Sequence, residues 1–392
     1  MTLTRRVLAA RGTRAVADGL VASTLSVFLS LRGASPQQIG FLITATLLGS
    51  AVMTIVFGPR VRPRVLLLIG ALAMVITGVA FALIPWLLLL GAVAAVGPLN
   101  PSGGDVSPLL PAEQALLADA AEPARRTATF ARYNLVASAC AAAGSALAGL
   151  PERIGRALDW SRLASLRLVF VVYAFAGLVA GALYGRPPAI EAGTSRHRQR
   201  LDQSRGIVRR LTLLFALDSA GGGLVGQSLL ALWLFRRFHF SLGKIGLVFA
   251  ATSLLSALSA LAAPRIAARI GLVRTMVFTH LPANFLLIGA AFAPSGPVAV
   301  AFLLARSLLS QLDVPARQSY VMSVVAPTER AAAAAYTNVP RSLAAATTPA
   351  LSGWLLGRST FGWPLIIGGV AKAVYDLLLL AGFRHLREGA AA

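Results

Sequence analysis

The sequence predicts an all-α membrane protein whose twelve transmembrane helices form two pseudo-symmetric six-helix bundles. Hydrophobic residues make up 57% of the 392 residues and charged residues only 13%, about half the usual share in a soluble protein. Apolar stretches of membrane-spanning length recur along the whole chain. The second half of the sequence also repeats features of the first half at a nearly constant offset.

Each predicted span is a stretch of mostly apolar residues, and a membrane-crossing helix needs about 20 of them. The fourth is the least regular, and we expect it to be bent or partly unwound where it faces protein or water. Its helix-breaking residues are Pro98, Pro101, Gly103, Gly104, Pro108 and Pro111. The predicted spans cover residues 14–31, 37–58, 64–84, 87–111, 127–150, 163–185, 207–235, 242–262, 272–292, 296–320, 331–357 and 362–383.

The basic residues predict the orientation of these spans. Most Lys and Arg lie in the segments that share one side with the N-terminus, which predicts that both termini are in the cytoplasm. The expected location of the chain is a bacterial-type cytoplasmic (inner) membrane. The same distribution accounts for the net charge of +22 without a nucleic-acid partner, because the arginines form no continuous basic face. Residues 151–167 run against the trend and are typical of a short amphipathic helix on the membrane surface.

An internal repeat predicts the domain organisation: an N-terminal bundle at 1–186, a basic cytoplasmic linker at 187–206 and a C-terminal bundle at 207–392. At an offset of 204, the sequence Pro-Ala-Glu-Gln at 111–114 falls on Pro-Ala-Arg-Gln at 315–318. Six spans return the chain to its starting side, so the halves are expected to be parallel repeats related by an axis along the membrane normal.

On these features the chain resembles the major facilitator superfamily over nearly its whole length. The resemblance rests on twelve spans, a basic central loop and short basic loops after spans 2 and 8. The family's loop motif is degenerate here: Arg62 stands at its acid position in the first copy, whereas Arg269 and Gly271 match in the second. The resemblance implies a transporter in which spans 1, 4, 7 and 10 line a central cavity that two rocking bundles expose to each side in turn.

Three acidic residues lie in the spans that the resemblance places around that cavity: Asp18 in span 1, Asp105 in span 4 and Asp218 in span 7. An ionisable side chain inside the bilayer is costly, so each is a functional candidate by default, here as a group that binds and releases protons. The alternatives are a surface pair of Asp18 with Arg14, a helix-start acid at Asp218 and a backbone cap at Asp105.

Span 10 carries Arg306 and Asp313, seven residues apart and therefore on one face of a continuous helix. One interpretation makes Arg306 a ligand for an anionic or polar group of the solute and Asp313 a titrating acid. The other makes Asp313 part of a structural charge network with Arg317 at the cytoplasmic end of the helix.

Other polar residues within the spans have weaker interpretations. Asn134 and Asn338 occupy equivalent places in spans 5 and 11 and could bond helices together or contact solute. Arg341 follows the expected kink at position 340 and is a further candidate for solute binding. Lys372 and Asp376, four apart in span 12, are interpreted as a structural charge pair.

No metal or cofactor is expected, because Cys140 is the single cysteine and the four histidines, His280 among them, are far apart in the sequence. His280 is a reserve candidate for proton binding.

The sequence as a whole predicts a secondary active transporter, not an enzyme, that moves a small solute by alternating access. The resemblance to bacterial efflux proteins implies proton-coupled export as the leading direction. Uptake of a metabolite is the close alternative. A lipid-handling or non-transporting membrane protein is the alternative of another class. The expected partners are a small-molecule substrate, protons and the lipid bilayer, and the expected state is a monomer.

Overall fold

A computed structural model of the chain describes residues 2–57, 60–102, 109–120, 126–185, 203–326 and 329–383. These residues form helices joined by short connections and contain no β-strand. Within these ranges, nine helical stretches are long and apolar enough to cross a membrane. The predicted all-α membrane class is therefore confirmed.

The first of two compact units comprises Met1–Ser195 and Gly226–Ser253. It contains α1 (Leu3–Leu31), α2 (Pro36–Phe57), α3 (Pro63–Leu83), α4 (Leu87–Val96), α5 (Leu109–Ala120), α6 (Arg126–Ala146), α7 (Leu150–Ala157), α8 (Arg162–Gly185), α10 (Gln227–Phe238) and the first part of α11 (Leu242–Ile270). The second unit comprises Arg196–Val225 and Leu254–Ala392. It contains α9 (Arg205–Leu224), the rest of α11, α12 (Leu272–Ala291), α13 (Gly296–Ser307), α14 (Asp313–Ser323), α15 (Arg330–Arg358) and α16 (Trp363–Phe383).

Three predicted spans are discontinuous in the structure. Span 4 consists of α4 and α5. The helix α4 ends at Val96 and is capped by Gly97, just before Pro98, which has no N–H to continue the helix. Span 7 consists of α9 and α10, which begins after Gly226. Irregular backbone at membrane depth is tolerated only where protein or water satisfies its polar groups.

The break in span 10 was not predicted. The helix α13 ends at Ser307 and α14 begins at Asp313, although the sequence analysis treated 296–320 as one helix. Pro315 explains the break, because its ring excludes the helical carbonyl four residues earlier and is tolerated only in the first turn of a new helix. In the structure Pro315 lies in the first turn of α14.

Glycines allow the main helix pairs to approach closely. In unit 1, a Cβ atom at Gly19 of α1 would lie 2.1 Å from the carbonyl oxygen of Ala141 in α6, and one at Gly144 would lie 1.9 Å from that of Val16. In unit 2, a Cβ at Gly223 of α9 would lie 2.2 Å from the carbonyl oxygen of Ala345 in α15. Such contacts leave no room for any side chain, which is how small residues hold membrane helices together.

Candidate functional site

A cluster of buried charges occupies the interior of unit 2 and centres on Asp218 of α9. Its Oδ1 atom lies 2.7 Å from Nζ of Lys372, and its Oδ2 atom lies 3.1 Å from Nη1 of Arg317. The Nε2 atom of His280 is 3.7 Å from Oδ1. Both oxygens of Asp218 therefore contact cationic side chains from other helices.

The cluster continues through His280 to a second carboxylate. The Nδ1 atom of His280 lies 3.0 Å from Oδ1 of Asp376, and Nδ2 of Asn284 donates a hydrogen bond of 2.9 Å to Oδ2. On α14, Asp313 lies 3.5 Å from Arg317, one turn away. We call the whole set the Asp218 cluster; its members are Asp218, His280, Asn284, Asp313, Arg317, Lys372 and Asp376.

Every member of the Asp218 cluster is buried, with at most 7% of its surface exposed. Aromatic and aliphatic side chains of unit 2 form a core that includes Phe215, Tyr320 and Tyr375, and the Phe215 ring lies 5.5 Å from the Arg317 guanidinium. Removing several charges from water is costly unless they are paired and hydrogen-bonded. A group of buried charged side chains within a membrane helix bundle is therefore a candidate functional site.

Two more arginines adjoin the Asp218 cluster. Arg306, at the end of α13, interacts electrostatically with Asp218 and Asp313, and its Nε atom is buried with no hydrogen-bond partner among the described residues. Arg341 of α15 donates hydrogen bonds to Ser219 at 3.2 Å and to Asn338 at 3.3 Å. A buried hydrogen-bond donor without an acceptor is uncommon in proteins, and such a donor usually binds a ligand or a water molecule.

The arrangement of Arg306 and Asp313 differs from the prediction. The two residues belong to separate helices, because span 10 breaks between them, so they do not share a face of one helix. Asp313 instead pairs with Arg317, four residues later, which matches the charge-network alternative. Arg306 remains the candidate ligand of the two.

Lys372 and Asp376 also have different partners from the predicted pair: Lys372 contacts Asp218, and Asp376 contacts His280. Glycines on α9 explain the difference. A Cβ atom at Gly221 would lie 3.0 Å from Cγ of Lys372, so the aliphatic stem of the lysine crosses α9 where the helix has no side chain.

A second buried cluster lies in unit 1 and centres on Glu113 of α5. Its Oε1 atom lies 2.7 Å from Nη1 of Arg14 and accepts a hydrogen bond from the hydroxyl of Tyr184. Its Oε2 atom accepts a hydrogen bond of 2.5 Å from the hydroxyl of Tyr133. Glu113 itself is fully buried. We call Arg14, Glu113, Tyr133 and Tyr184 the Glu113 cluster.

The remaining predicted site residues are dispersed. Asp18 is buried on α1, one turn beyond Arg14, whereas Asn134 on α6 and Asn338 on α15 are exposed. Asp105 lies outside the described residues. No group of three or more His, Cys, Asp or Glu side chains in the described ranges is arranged to hold a metal ion.

The sequence analysis overlooked two parts of these sites. Glu113 was noted only as a repeat match to Arg317, and His280 was kept in reserve. A usable signal existed in the spacing: polar residues four apart on span 9 and four apart on span 12 each present two polar groups on one helix face. Two polar residues on one face of an apolar span indicate that this face contacts the polar face of another span or a cavity.

The fold and these buried clusters define a class of protein, a polytopic helical membrane transporter with ionisable groups on discontinuous spans. The sequence profile of the Major Facilitator Superfamily matches residues 7–309 and 211–391. The chain therefore belongs to the major facilitator superfamily, a family of transporters, not enzymes.

Individual relatives are distant. An uncharacterised membrane protein of Saccharomyces cerevisiae is 23% identical over 411 aligned positions, covering 94% of this chain and 91% of the yeast protein. Among solved structures, a bacterial homologue of the human lysosomal transporter Spinster is 16% identical, with 97% and 95% of the two chains covered and a TM-score of 0.72. A D-xylose–proton symporter is 14% identical, with 99% of each chain covered and a TM-score of 0.72. At these identities the structural likeness shows the fold alone.

Proposed function

We propose that the protein is a secondary active transporter for a small solute that carries an anionic group, and that the Asp218 cluster with Arg306 and Arg341 binds it. The observation that carries this proposal is the buried Nε atom of Arg306, which has no hydrogen-bond partner among the described residues. Guanidinium groups bind carboxylates and phosphates through paired N–H donors.

The balance of charge favours an anion over a cation as the bound group. The three carboxylates of the Asp218 cluster face two permanent cations, Arg317 and Lys372. Arg306 and Arg341 add two more cations within electrostatic range of these carboxylates. His280 adds another when it is protonated. The positive excess therefore exists in both protonation states of His280.

Asp218 is the proposed coupling group, and its contacts suggest how coupling works. Both of its oxygens are engaged by Lys372 and Arg317, whose side chains can donate hydrogen bonds but not accept them. A proton on Asp218 must displace one of these contacts and so frees a cation for the anion of the solute. Asp105, the other coupling candidate from the sequence, lies outside the described residues.

The direction of transport depends on whether the proton and the solute can occupy the site at the same time. Export by proton antiport is the direction predicted from the sequence, and it requires mutual exclusion. Uptake by symport is the second candidate, favoured by the contacts of Asp218, because protonation there would make room for the anion. We further propose that the chain is a monomer in the cytoplasmic membrane with both termini in the cytoplasm, and that it works by alternating access.

Purified protein in detergent would first be screened by thermal shift against small carboxylates and phosphate esters, with neutral and cationic analogues of similar size. Hits would then be tested for flux into proteoliposomes with and without a pH gradient, while an entrapped pH-sensitive dye reports proton movement. Proton and solute moving in the same direction indicates symport, and opposite movement indicates antiport.

The key variant is Arg306→Gln. Losing a charged hydrogen bond of about 1.5–3 kcal/mol lowers affinity roughly 10- to 100-fold. Arg358→Gln is the matched control, because Arg358 is exposed at the end of α15 and lies over the Trp354 ring. Selective stabilisation by cationic compounds, or unchanged affinity in Arg306→Gln, would contradict an anion site. Movement of labelled lipid without solute flux would favour the lipid-handling class.

A further inference from the structure

The two buried clusters are built on equivalent positions of the internal repeat, with inverted charge. Asp218 lies 204 residues after Arg14, and Arg317 lies 204 residues after Glu113. Glu113 lies on α5 (Leu109–Ala120) and Arg317 lies on α14 (Asp313–Ser323). Each unit therefore has an ion pair at the same place, with the carboxylate on α9 in unit 2 and on α5 in unit 1.

The partners of the two carboxylates differ in one chemical property. Lys372 and Arg317 around Asp218 are donors only, whereas each oxygen of Glu113 meets a tyrosine hydroxyl, which can donate or accept. A proton on Oε2 can be donated to the Tyr133 oxygen, so the contact persists with its direction reversed. A proton on Oε1 can be donated to Tyr184, whose hydroxyl also accepts from Arg14 at 3.4 Å. A protonated Glu113 therefore keeps a tyrosine hydrogen bond at each oxygen, and what it loses is the charge pairing with Arg14 at 2.7 Å.

A small cavity next to Tyr184 offers a path for the proton. Its volume of about 10 Å³ has room for roughly one water molecule. Tyr184 lines it together with Arg6 and Val7 near the start of α1 and Arg64 at the start of α3. Tyr184 therefore borders this cavity and also contacts the buried carboxylate of Glu113.

The charged and titratable groups around Glu113 come from each helix packed near it. Arg14 from α1 contacts the carboxylate, and Arg11 from the same helix lies over the Tyr133 ring at 5.3 Å. Tyr133 comes from α6 and Tyr184 from α8. Arg64 from α3 lines the cavity. Asp18, on α1, is a second buried acid of unit 1.

We propose that Glu113 is a proton-binding site of unit 1, loaded through Tyr184 from the adjoining cavity. An excess proton on water in the cavity passes to the Tyr184 oxygen while the Tyr184 proton passes to Oε1 of Glu113, so that the water and Tyr184 both end neutral. The role of this site in driving transport rests on the proposed function, but proton binding itself does not.

Infrared difference spectroscopy of the purified, detergent-solubilised protein tests the inference with protons as the only probe. Acidification should produce the C=O stretching band of a buried carboxylic acid. One component of this band should vanish in Glu113→Gln, persist in Asp218→Asn and Asp18→Asn, and shift in frequency in Tyr133→Phe and Tyr184→Phe, which each remove one hydroxyl from the carboxyl group.

A band unchanged in Glu113→Gln, or no carboxylic acid band at any pH at which the protein stays folded, would overturn the inference. If Glu113→Gln fails to fold, Glu113→Asp keeps the charge and the titratable group; a displaced band then supports the site, and an unaltered band refutes it. These outcomes are separate from the solute assay: an intact Arg306 effect together with a band that Glu113→Gln leaves unchanged overturns this inference and leaves the proposed anion site standing.

Discussion

Removal of the Asp218–Lys372 contact is the most direct test of the pairing in unit 2. Asp218→Asn takes a carboxylate away from Lys372 at 2.7 Å, Arg317 at 3.1 Å and His280 at 3.7 Å, and leaves two buried cations without this partner. Breaking a buried ion pair from one side typically costs about 3–5 kcal/mol. Lys372→Met should cost less than Asp218→Asn, because Asp218 keeps Arg317.

The double variant should lose much less stability than the two single variants added together. With both partners gone, no charge of that pair is left uncompensated, and Arg317 still has Asp313 at 3.5 Å. We therefore expect a coupling energy of about 1–3 kcal/mol, within the usual range for residues in direct contact. The measurement is the free energy of unfolding in mixed micelles as the denaturing detergent fraction rises.

Glu152→Gln is the control for this cycle. It breaks an ion pair of similar length, 2.5 Å between Arg162 Nε and Glu152 Oε1, but the arginine side chain is 42% exposed. Exposed pairs contribute about 0–1 kcal/mol, so the control should change stability little. Single-variant effects that add to within about 0.5 kcal/mol would refute a direct Asp218–Lys372 interaction.

Two further predictions concern packing and capping. Gly144→Ala should sharply reduce stability and folded yield, because the added Cβ would lie 1.9 Å from a backbone oxygen. Gly91→Ala in α4 is the control: its Cβ meets nothing within 4 Å, so the free energy of unfolding should stay the same or rise by up to about 1 kcal/mol. Equal melting temperatures for the two variants would contradict this packing. Glu329→Gln should lower the free energy of unfolding by about 1–3 kcal/mol, since Glu329 accepts hydrogen bonds from the N–H groups of Gln203 and Ser204 at 2.9 Å each and glutamine has only one acceptor oxygen. Hydrogen exchange of these two backbone amides should accelerate. Unchanged exchange would show that these contacts do not stabilise the start of α9.

The helical class was predictable because bilayer thickness sets the length of a span and composition reveals the solvent. The breaks were only partly predictable. Four prolines marked span 4 as irregular, but Pro315 was the one proline in the interior of predicted span 10. A proline at the start of a new helix cannot be distinguished by sequence from a proline that kinks a continuous helix. Only the structure shows that α13 ends at Ser307.

The members of the buried site were easier to find than their partners. Asp218, Lys372 and Asp376 stand out as charges inside apolar spans. Which charge meets which depends on how two helices cross, and here the absence of a side chain at Gly221 allows Lys372 to reach across α9. Glu113 was missed because its tyrosine partners are far apart in the sequence and carry no charge.

The inverted ion pairs also constrain how the two halves of the gene could have diverged. If both halves descend from one duplicated bundle, one of them exchanged the signs at two positions that touch in the folded protein. Either substitution alone would leave two like charges facing each other in a low-dielectric interior. The reversal therefore required a neutral intermediate, such as an uncharged polar residue at one position, or a compensating neighbour. Variants with glutamine at position 113 or 317 would show which half of the chain tolerates the neutral intermediate and still folds.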